Sequence, residues 1–191
     1  MARAPAARNQ IRLIGGQWRS RKLSFADLPG LRPTTDRVKE TVFNWLMHKV
    51  PGSHCLDAFS GSGSLGFEAL SREAAWTTFI DSSNIVVKQL QANLKTLQCQ
   101  DAEVIRADSI QWLSQTANRQ FDLVFLDPPF NQGLLEPAAS YLESRSWLTA
   151  DAVIYIEYEQ KLLPQLPANW QCIKEKRAGE VIFALYQRNT A

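Results

Sequence analysis

From residue 55 to residue 158 the chain alternates short apolar runs with amphipathic stretches, and no other feature constrains the fold as strongly. The runs at 55–59, 77–81, 103–106, 121–127 and 152–158 have the length of strands. Between them, 65–71, 85–97, 109–116 and 134–144 space their apolar residues at helical intervals; Val87, Leu90, Leu94 and Leu97 form the clearest stripe. Strands separated by helices cannot pair as hairpins, so the pattern predicts a parallel sheet covered on both faces. The end of the chain differs. Residues 170–176 and 180–187, joined around Ala178-Gly179 without a helix, predict an antiparallel hairpin that finishes the sheet.

The first 50 residues follow another logic. Residues 1–10 are small, polar and basic and are expected to form a disordered tail. Residues 11–14 and 18–25 flank Gly15-Gly16, which predicts a tight two-residue hairpin. Pro29-Gly30-Leu31-Arg32-Pro33 then breaks the chain before Val38, Val42, Trp45 and Leu46 recur at helical spacing, up to Pro51-Gly52. Three parts are expected: the tail 1–10, a hairpin-and-helix extension 11–50, and a main domain 51–191.

Charge separates these parts. The whole chain is +2, but residues 1–40 hold nine bases against three acids, a net +6, which leaves −4 for the rest. A basic arm on an acidic body suggests a polyanionic partner. Trp18, amid Arg19, Arg21 and Lys22, is a candidate contact for that partner, whereas Trp45, Trp76 and Trp112 lie in apolar patterns and are expected in the core. No apolar run reaches the roughly 20 residues of a membrane span, and no secretory signal is evident. Three dispersed cysteines without a C-x-x-C pair argue against structural zinc and against a disulfide framework. A metal-free, cytoplasmic monomer is expected.

Two clusters carry chemistry. In the first, Asp57 precedes Gly61-Ser62-Gly63-Ser64-Leu65-Gly66, a G-x-G-x-x-G turn between a strand and a helix, and Asp81 ends the next strand. Glycines admit a ligand close to the backbone, and an acid can bind ribose hydroxyls. Asp57 at the mouth of the turn would repel a pyrophosphate but attract an ammonium or sulfonium group. S-adenosyl-L-methionine offers both cations and a ribose without phosphate. The second cluster, Asp127-Pro128-Pro129-Phe130, follows the run Leu123-Val124-Phe125-Leu126 at a strand's carboxyl end, where open α/β sheets bind ligands. There a carboxylate and a free carbonyl can accept hydrogen bonds from an amino group, the prolines stiffen the backbone, and the ring offers a stacking face.

Together these clusters resemble the class I methyltransferases that modify exocyclic amino groups of nucleic-acid bases. Ile11-Arg12-Leu13-Ile14-Gly15-Gly16-Gln17-Trp18-Arg19 and Leu31-Arg32-Pro33-Thr34-Thr35-Asp36-Arg37-Val38-Lys39-Glu40 narrow the resemblance to the bacterial RsmD family, over residues 10–187. The resemblance implies a Rossmann-like fold with a mostly parallel seven-stranded sheet and an antiparallel C-terminal hairpin, preceded by a small N-terminal β-hairpin and helix. It implies methyl transfer from S-adenosyl-L-methionine to N2 of one guanine in 16S ribosomal RNA, free or in the small-subunit particle. Asp57, Gly61 and Gly63 would surround the cofactor's methionine half, Phe59 would also bind the cofactor, Asp81 would take its ribose hydroxyls, and Asp108 with Ser109 would meet its adenine. Asp81 stands where the family more often has Glu, so its reach is one methylene shorter. Asp127, Pro128, Pro129 and Phe130 would hold the target base. Arg12, Trp18, Arg19, Arg21, Lys22, Arg32, Thr34 and Arg37 would meet RNA, and removal of residues 1–24 is expected to spare cofactor binding while reducing methylation.

Three other readings compete. An NAD-dependent oxidoreductase leaves Asp57 and the D-P-P-F tetrapeptide without a role. A non-catalytic RNA-binding module leaves the glycine turn without one. An amino-methylating DNA enzyme needs a target-recognition domain for which 191 residues leave no room.

Overall fold

The computed structural model describes residues 9–28, 31 and 33–189. Its frame is a seven-stranded sheet built from β3 (His54–Asp57), β4 (Trp76–Asp81), β5 (Ala102–Arg106), β6 (Phe121–Leu126), β7 (Leu148–Glu159), β8 (Trp170–Ala178) and β9 (Val181–Arg188). The spatial order is β5-β4-β3-β6-β7-β9-β8. β3 to β7 run parallel, whereas β9 is antiparallel to β7 and to the edge strand β8. The chain moves outward from β3 through β4 to β5, then returns to the other side of β3 as β6. The loops after β3 and β6 therefore part in opposite directions and leave a crevice at the carboxyl ends.

Side chains alternate across this sheet and sort the core into two faces. Leu56, Val124, Leu126, Ile154 and Ile156 meet α5 (Leu135–Ser144) and the end of α4 (Ser109–Leu113). Cys55, Leu123, Phe125, Val153 and Tyr155 meet α1 (Asp36–Trp45) and α2 (Ser64–Ser71). On that second face Phe79 also packs beneath α3 (Asn84–Leu97), whose Val86, Leu90, Leu94 and Leu97 form its buried stripe. Helix starts follow capping chemistry: Thr35 accepts from the Val38 amide and Asp108 from the Gln111 amide. The five parallel strands, the four helices between them and the terminal hairpin all match the sequence expectation. The boundaries shift by up to four residues: β7 starts at Leu148 and α4 stops at Leu113. Trp112 stacks on Trp147 with ring centroids 4.1 Å apart, and Trp45 stacks on Phe183 at 5.5 Å, as core residues.

The expected tight turn at Gly15-Gly16 is overturned. β1 (Gln10–Arg12) and β2 (Lys22–Ser24) do pair, with Ile11 opposite Leu23, but residues 13–21 join them as a long loop. That loop is pinned to the end of α2. Ser71 Oγ donates to the Gly15 carbonyl at 2.5 Å, and the Gln17 amide donates to the Ser71 carbonyl at 2.7 Å. Gly16 sits at φ 71° with its missing Cβ only 1.7 Å from the Ser71 carbonyl oxygen. Those two glycines serve a close approach between backbones, not a hairpin reversal.

Ile11, Leu13 and Leu23 are buried against Phe67, Leu70 and Phe79. At about 1.5–3 kcal/mol each they are part of the core, so removing residues 1–24 would open it rather than simply spare cofactor binding. A buried polar network adds to the attachment. Lys39, 1% exposed, donates to the Arg12 carbonyl at 2.5 Å and pairs with Asp36 at 3.4 Å. Glu68, fully buried, accepts from the Ile14 amide at 2.9 Å and pairs with Arg72 at 2.8 Å. Asn9 and Gln10 are also structured: the Asn9 carbonyl accepts from Phe25, and Gln10 opens β1. The remainder of the tail, residues 1–8, and Arg32 lie outside the described residues.

Candidate active site

The register of the sheet places three carboxylates on one face at its carboxyl edge. Asp57 lies opposite Phe125 on the β3–β6 pair, and Phe125 lies opposite Tyr155 on β6–β7. Two residues further along on that same face stand Asp127, directly after β6, and Glu157, within β7. Asp57 is 4% exposed, while Asp127 and Glu157 are half-buried.

Asp57 ends β3 and reaches across the glycine turn. Its Oδ2 accepts from the Gly66 amide at 3.0 Å. Burial pushes its carboxyl up to about 7; the Gly66 amide opposes that rise and the Asp81 charge adds to it. The turn between is tightly folded: Ser60 Oγ donates to the Asp57 carbonyl at 2.8 Å, and the Gly63 amide to the Ser60 carbonyl at 2.7 Å. At the end of β4, Asp81 holds the turn from the other side, accepting from the Gly61 amide at 3.0 Å and the Ser83 amide at 2.8 Å. Asp57, Gly61, Gly63 and Asp81 are thus brought together, with half-buried Phe59 beside them.

Asp108 and Ser109 have local roles as well. Asp108 is exposed and caps α4. Ser109 is buried and its hydroxyl donates to the Ala58 carbonyl, which fixes the start of α4 to the end of β3.

On the acceptor side Asp127 follows β6 directly. Its carboxyl lies well above the ordinary carboxylate range, first through burial and then through the neighbouring charges of Glu157 and Asp57. Pro128 is buried, whereas Phe130 is 39% exposed. Pro128, Pro129, Phe130, Glu157, Lys161 and Leu162 line a cavity of about 260 Å³. The Asn131 amide donates to Glu159, closing the tetrapeptide loop over the end of β7.

Sequence reading missed Glu157. It stands near the end of a strand that is otherwise apolar from Ala152 to Ile156, a signal the sequence does carry, but its neighbour Asp127 is set by strand order. The Tyr155 hydroxyl donates to Glu157 Oε1 at 2.6 Å. Leu31 lies over Gly61, 3.7 Å from where a Cβ would stand. The chain at residue 31 therefore touches the glycine turn.

None of the ion pairs among the described residues includes Asp57, Asp81, Asp127 or Glu157. Carboxylates gathered without a cation favour a cationic ligand and disfavour phosphate. These residues fit S-adenosyl-L-methionine: an acid for an ammonium group, a second acid for a diol, and a backbone without a side chain at Gly61.

The proposed RNA contacts are dispersed along the N-terminal loop and α1. Arg19, Arg21, Lys22 and Arg37 are exposed. Arg12 is exposed too but pairs with Asp36 at 2.6 Å, and with Lys22, Phe25 and Pro33 it lines a cleft of about 420 Å³. Trp18 is half-buried against the core around Leu13, Phe67 and Leu70, its amide donating to Ser71 Oγ at 3.0 Å.

Comparison with known proteins gives a consistent result. The family model described as Conserved hypothetical protein 95 matches residues 11–187. The ribosomal RNA small subunit methyltransferase D of Escherichia coli is 51% identical over 180 residues, covering 94% of this chain and 90% of that protein. Its Haemophilus influenzae counterpart is 50% identical over 186 residues, covering 96% of each. The solved structure of yhhF from Escherichia coli superposes with a TM-score of 0.88 at 49% identity, over 96% of this chain and all of that one.

Proposed function

The chain belongs to the Conserved hypothetical protein 95 family, with the RsmD-type small-subunit ribosomal RNA methyltransferases, and on that premise we propose that it methylates N2 of one guanine in 16S ribosomal RNA. The methyl donor is S-adenosyl-L-methionine, which supplies an electrophilic carbon on a positively charged sulfur. The observation that carries the reading is the adjacency of an uncompensated buried carboxylate, Asp57, and the D-P-P-F loop on neighbouring strands.

In this reading the residues divide the work. Asp57 faces the ammonium group and Asp81 the ribose hydroxyls. Asp108, with one oxygen committed to the α4 cap, keeps lone pairs for an adenine amino group, while Ser109 acts only through the backbone of β3. Asp127 and the Pro128 carbonyl accept hydrogen bonds from the guanine amino group, which turns its lone pair out of the ring plane. Phe130 stacks on the base. The proton that N2 sheds after transfer finds an acceptor in Asp127, whose burial raises its proton affinity. Orientation of this kind can supply about 7–11 kcal/mol of acceleration.

The substrate is 16S RNA, naked or assembled with protein, met in the cytoplasm by a single copy of the chain. The test is mass mapping of 16S RNA from cells lacking the gene, before and after incubation with the purified protein and methyl donor. One new N2-methylguanine is expected. A methyl group on another base, or none, overturns the reading.

A further inference from the structure

The acceptor cavity holds one group for which the transfer itself has no use, Glu157. β6 and β7 run parallel with Leu126 opposite Ile156, so Asp127 and Glu157 stand side by side on the next step. Glu157 lines the cavity together with Pro128 and Phe130, and the Tyr155 hydroxyl at 2.6 Å fixes where its carboxylate points. Burial raises its carboxyl, and the hydrogen bond from Tyr155 opposes that rise by favouring the charged, purely accepting form. A carboxylate offers about four acceptor positions, which leaves lone pairs for a ligand.

Two adjacent acceptors match one type of base edge. Guanine presents its N1–H beside its 2-amino group, a continuous row of donors. Adenine and cytosine present an unprotonated ring nitrogen beside theirs, which would face a carboxylate lone pair to lone pair. We propose that Glu157 is the residue that selects guanine: it accepts the N1–H while Asp127 accepts from the amino group that is methylated. Selection then comes as much from repulsion of the wrong edge as from attraction of the right one. A half-buried site strengthens both effects.

The proposal rests on guanine N2 as the acceptor and is tested at the position that mass mapping identifies. RNA carrying 2,6-diaminopurine there keeps the 2-amino group but lacks the N1–H. Wild-type protein is expected to prefer guanine over this analogue on the order of 100-fold in kcat/KM, the worth of a charge-assisted hydrogen bond. Glu157→Gln, whose amide can turn its NH2 toward an unprotonated N1, should methylate the two within a few-fold of each other. A merely structural role would lower both rates together and leave their ratio intact. Equal rates with wild-type protein, a measurement independent of any variant, overturn the proposal, as does an unchanged preference in Glu157→Gln. A methyl group found away from guanine N2 in unmodified RNA overturns the parent reading first, and this one with it.

Discussion

Asp57 Oδ2 accepts from the Gly66 amide across 3.0 Å, joining the end of β3 to the first turn of α2. The contact depends on the absence of a side chain at residue 66. A Cβ there would stand 3.0 Å from that oxygen and 2.3 Å from the Phe79 ring. The third glycine of the turn thus brings the helix close enough for its amide to hold the carboxylate proposed to meet the cofactor.

Replacing Asp57 with Ala should weaken S-adenosyl-L-methionine binding by one to two orders of magnitude, on the order of 1.5–3 kcal/mol for a charged hydrogen bond. Titration calorimetry on folded protein gives the answer. Unchanged affinity removes Asp57 from the cofactor site.

The Asp57 carboxyl, ordinarily near 3.8, is pushed up to about 7 by burial, with Asp81 adding to the rise. A cationic ligand favours the ionised form, so binding below pH 7 must expel a proton, and affinity should fall as pH drops through 7. Stability of the ligand-free protein has the opposite slope. A folded-state value above the unfolded one contributes stability that is fully present below about 3.8 and lost as pH rises through about 7. Asp127 and Glu157, also raised, act in the same direction. Wild-type protein should therefore lose more thermal stability between pH 6 and pH 8 than Asp57→Asn does. Parallel pH dependences in the two proteins contradict this assignment.

Asp127→Ala should nearly abolish methyl transfer and leave cofactor affinity within a few-fold. In the proposed function its hydrogen bond goes to the amino group whose geometry changes during transfer, so the loss should fall on kcat rather than on cofactor binding. Wild-type turnover in this variant would refute its role.

Substituting Arg19, Arg21 and Lys22 together with Ala keeps the core residues Ile11, Leu13 and Leu23 in place, which truncation does not. All three side chains are exposed. Every phosphate that the variant no longer neutralises should take roughly 0.7–0.9 from the slope of log affinity against log salt. RNA binding is measured at several salt concentrations, wild type beside the triple variant. Identical slopes would assign RNA docking to other surfaces.

Much of the fold and the site is legible in the sequence because it is local. The alternation from residue 55 to 158 dictates the parallel sheet, and the glycine turn and the D-P-P-F tetrapeptide are short contiguous motifs. What escapes is set by contacts between distant residues. Gly15-Gly16 has the composition of a hairpin turn, but Ser71, 55 residues beyond Gly16, dictates its use. Glu157 gains its meaning from Asp127, thirty residues earlier, through strand order that periodicity does not encode. Arg12 reads as a free cation, yet Asp36 holds it. Lys39, in a basic segment, is buried against the Arg12 carbonyl, an exchange of solvent for polar partners invisible to a charge count.

The sheet's two rims show how it stops growing. On one side β8 leaves residues 171–178 exposed, among them Lys174, Glu175, Lys176 and Arg177. On the other, β5 is five residues long and carries Glu103, paired with Arg119 at 2.5 Å, and Arg106. Unpaired strand edges invite a stranger's strand, and closely spaced charges make that docking costly. Neutralising the four charged positions on β8 would turn its rim into a template for self-association, with the methylation chemistry at the carboxyl edge untouched.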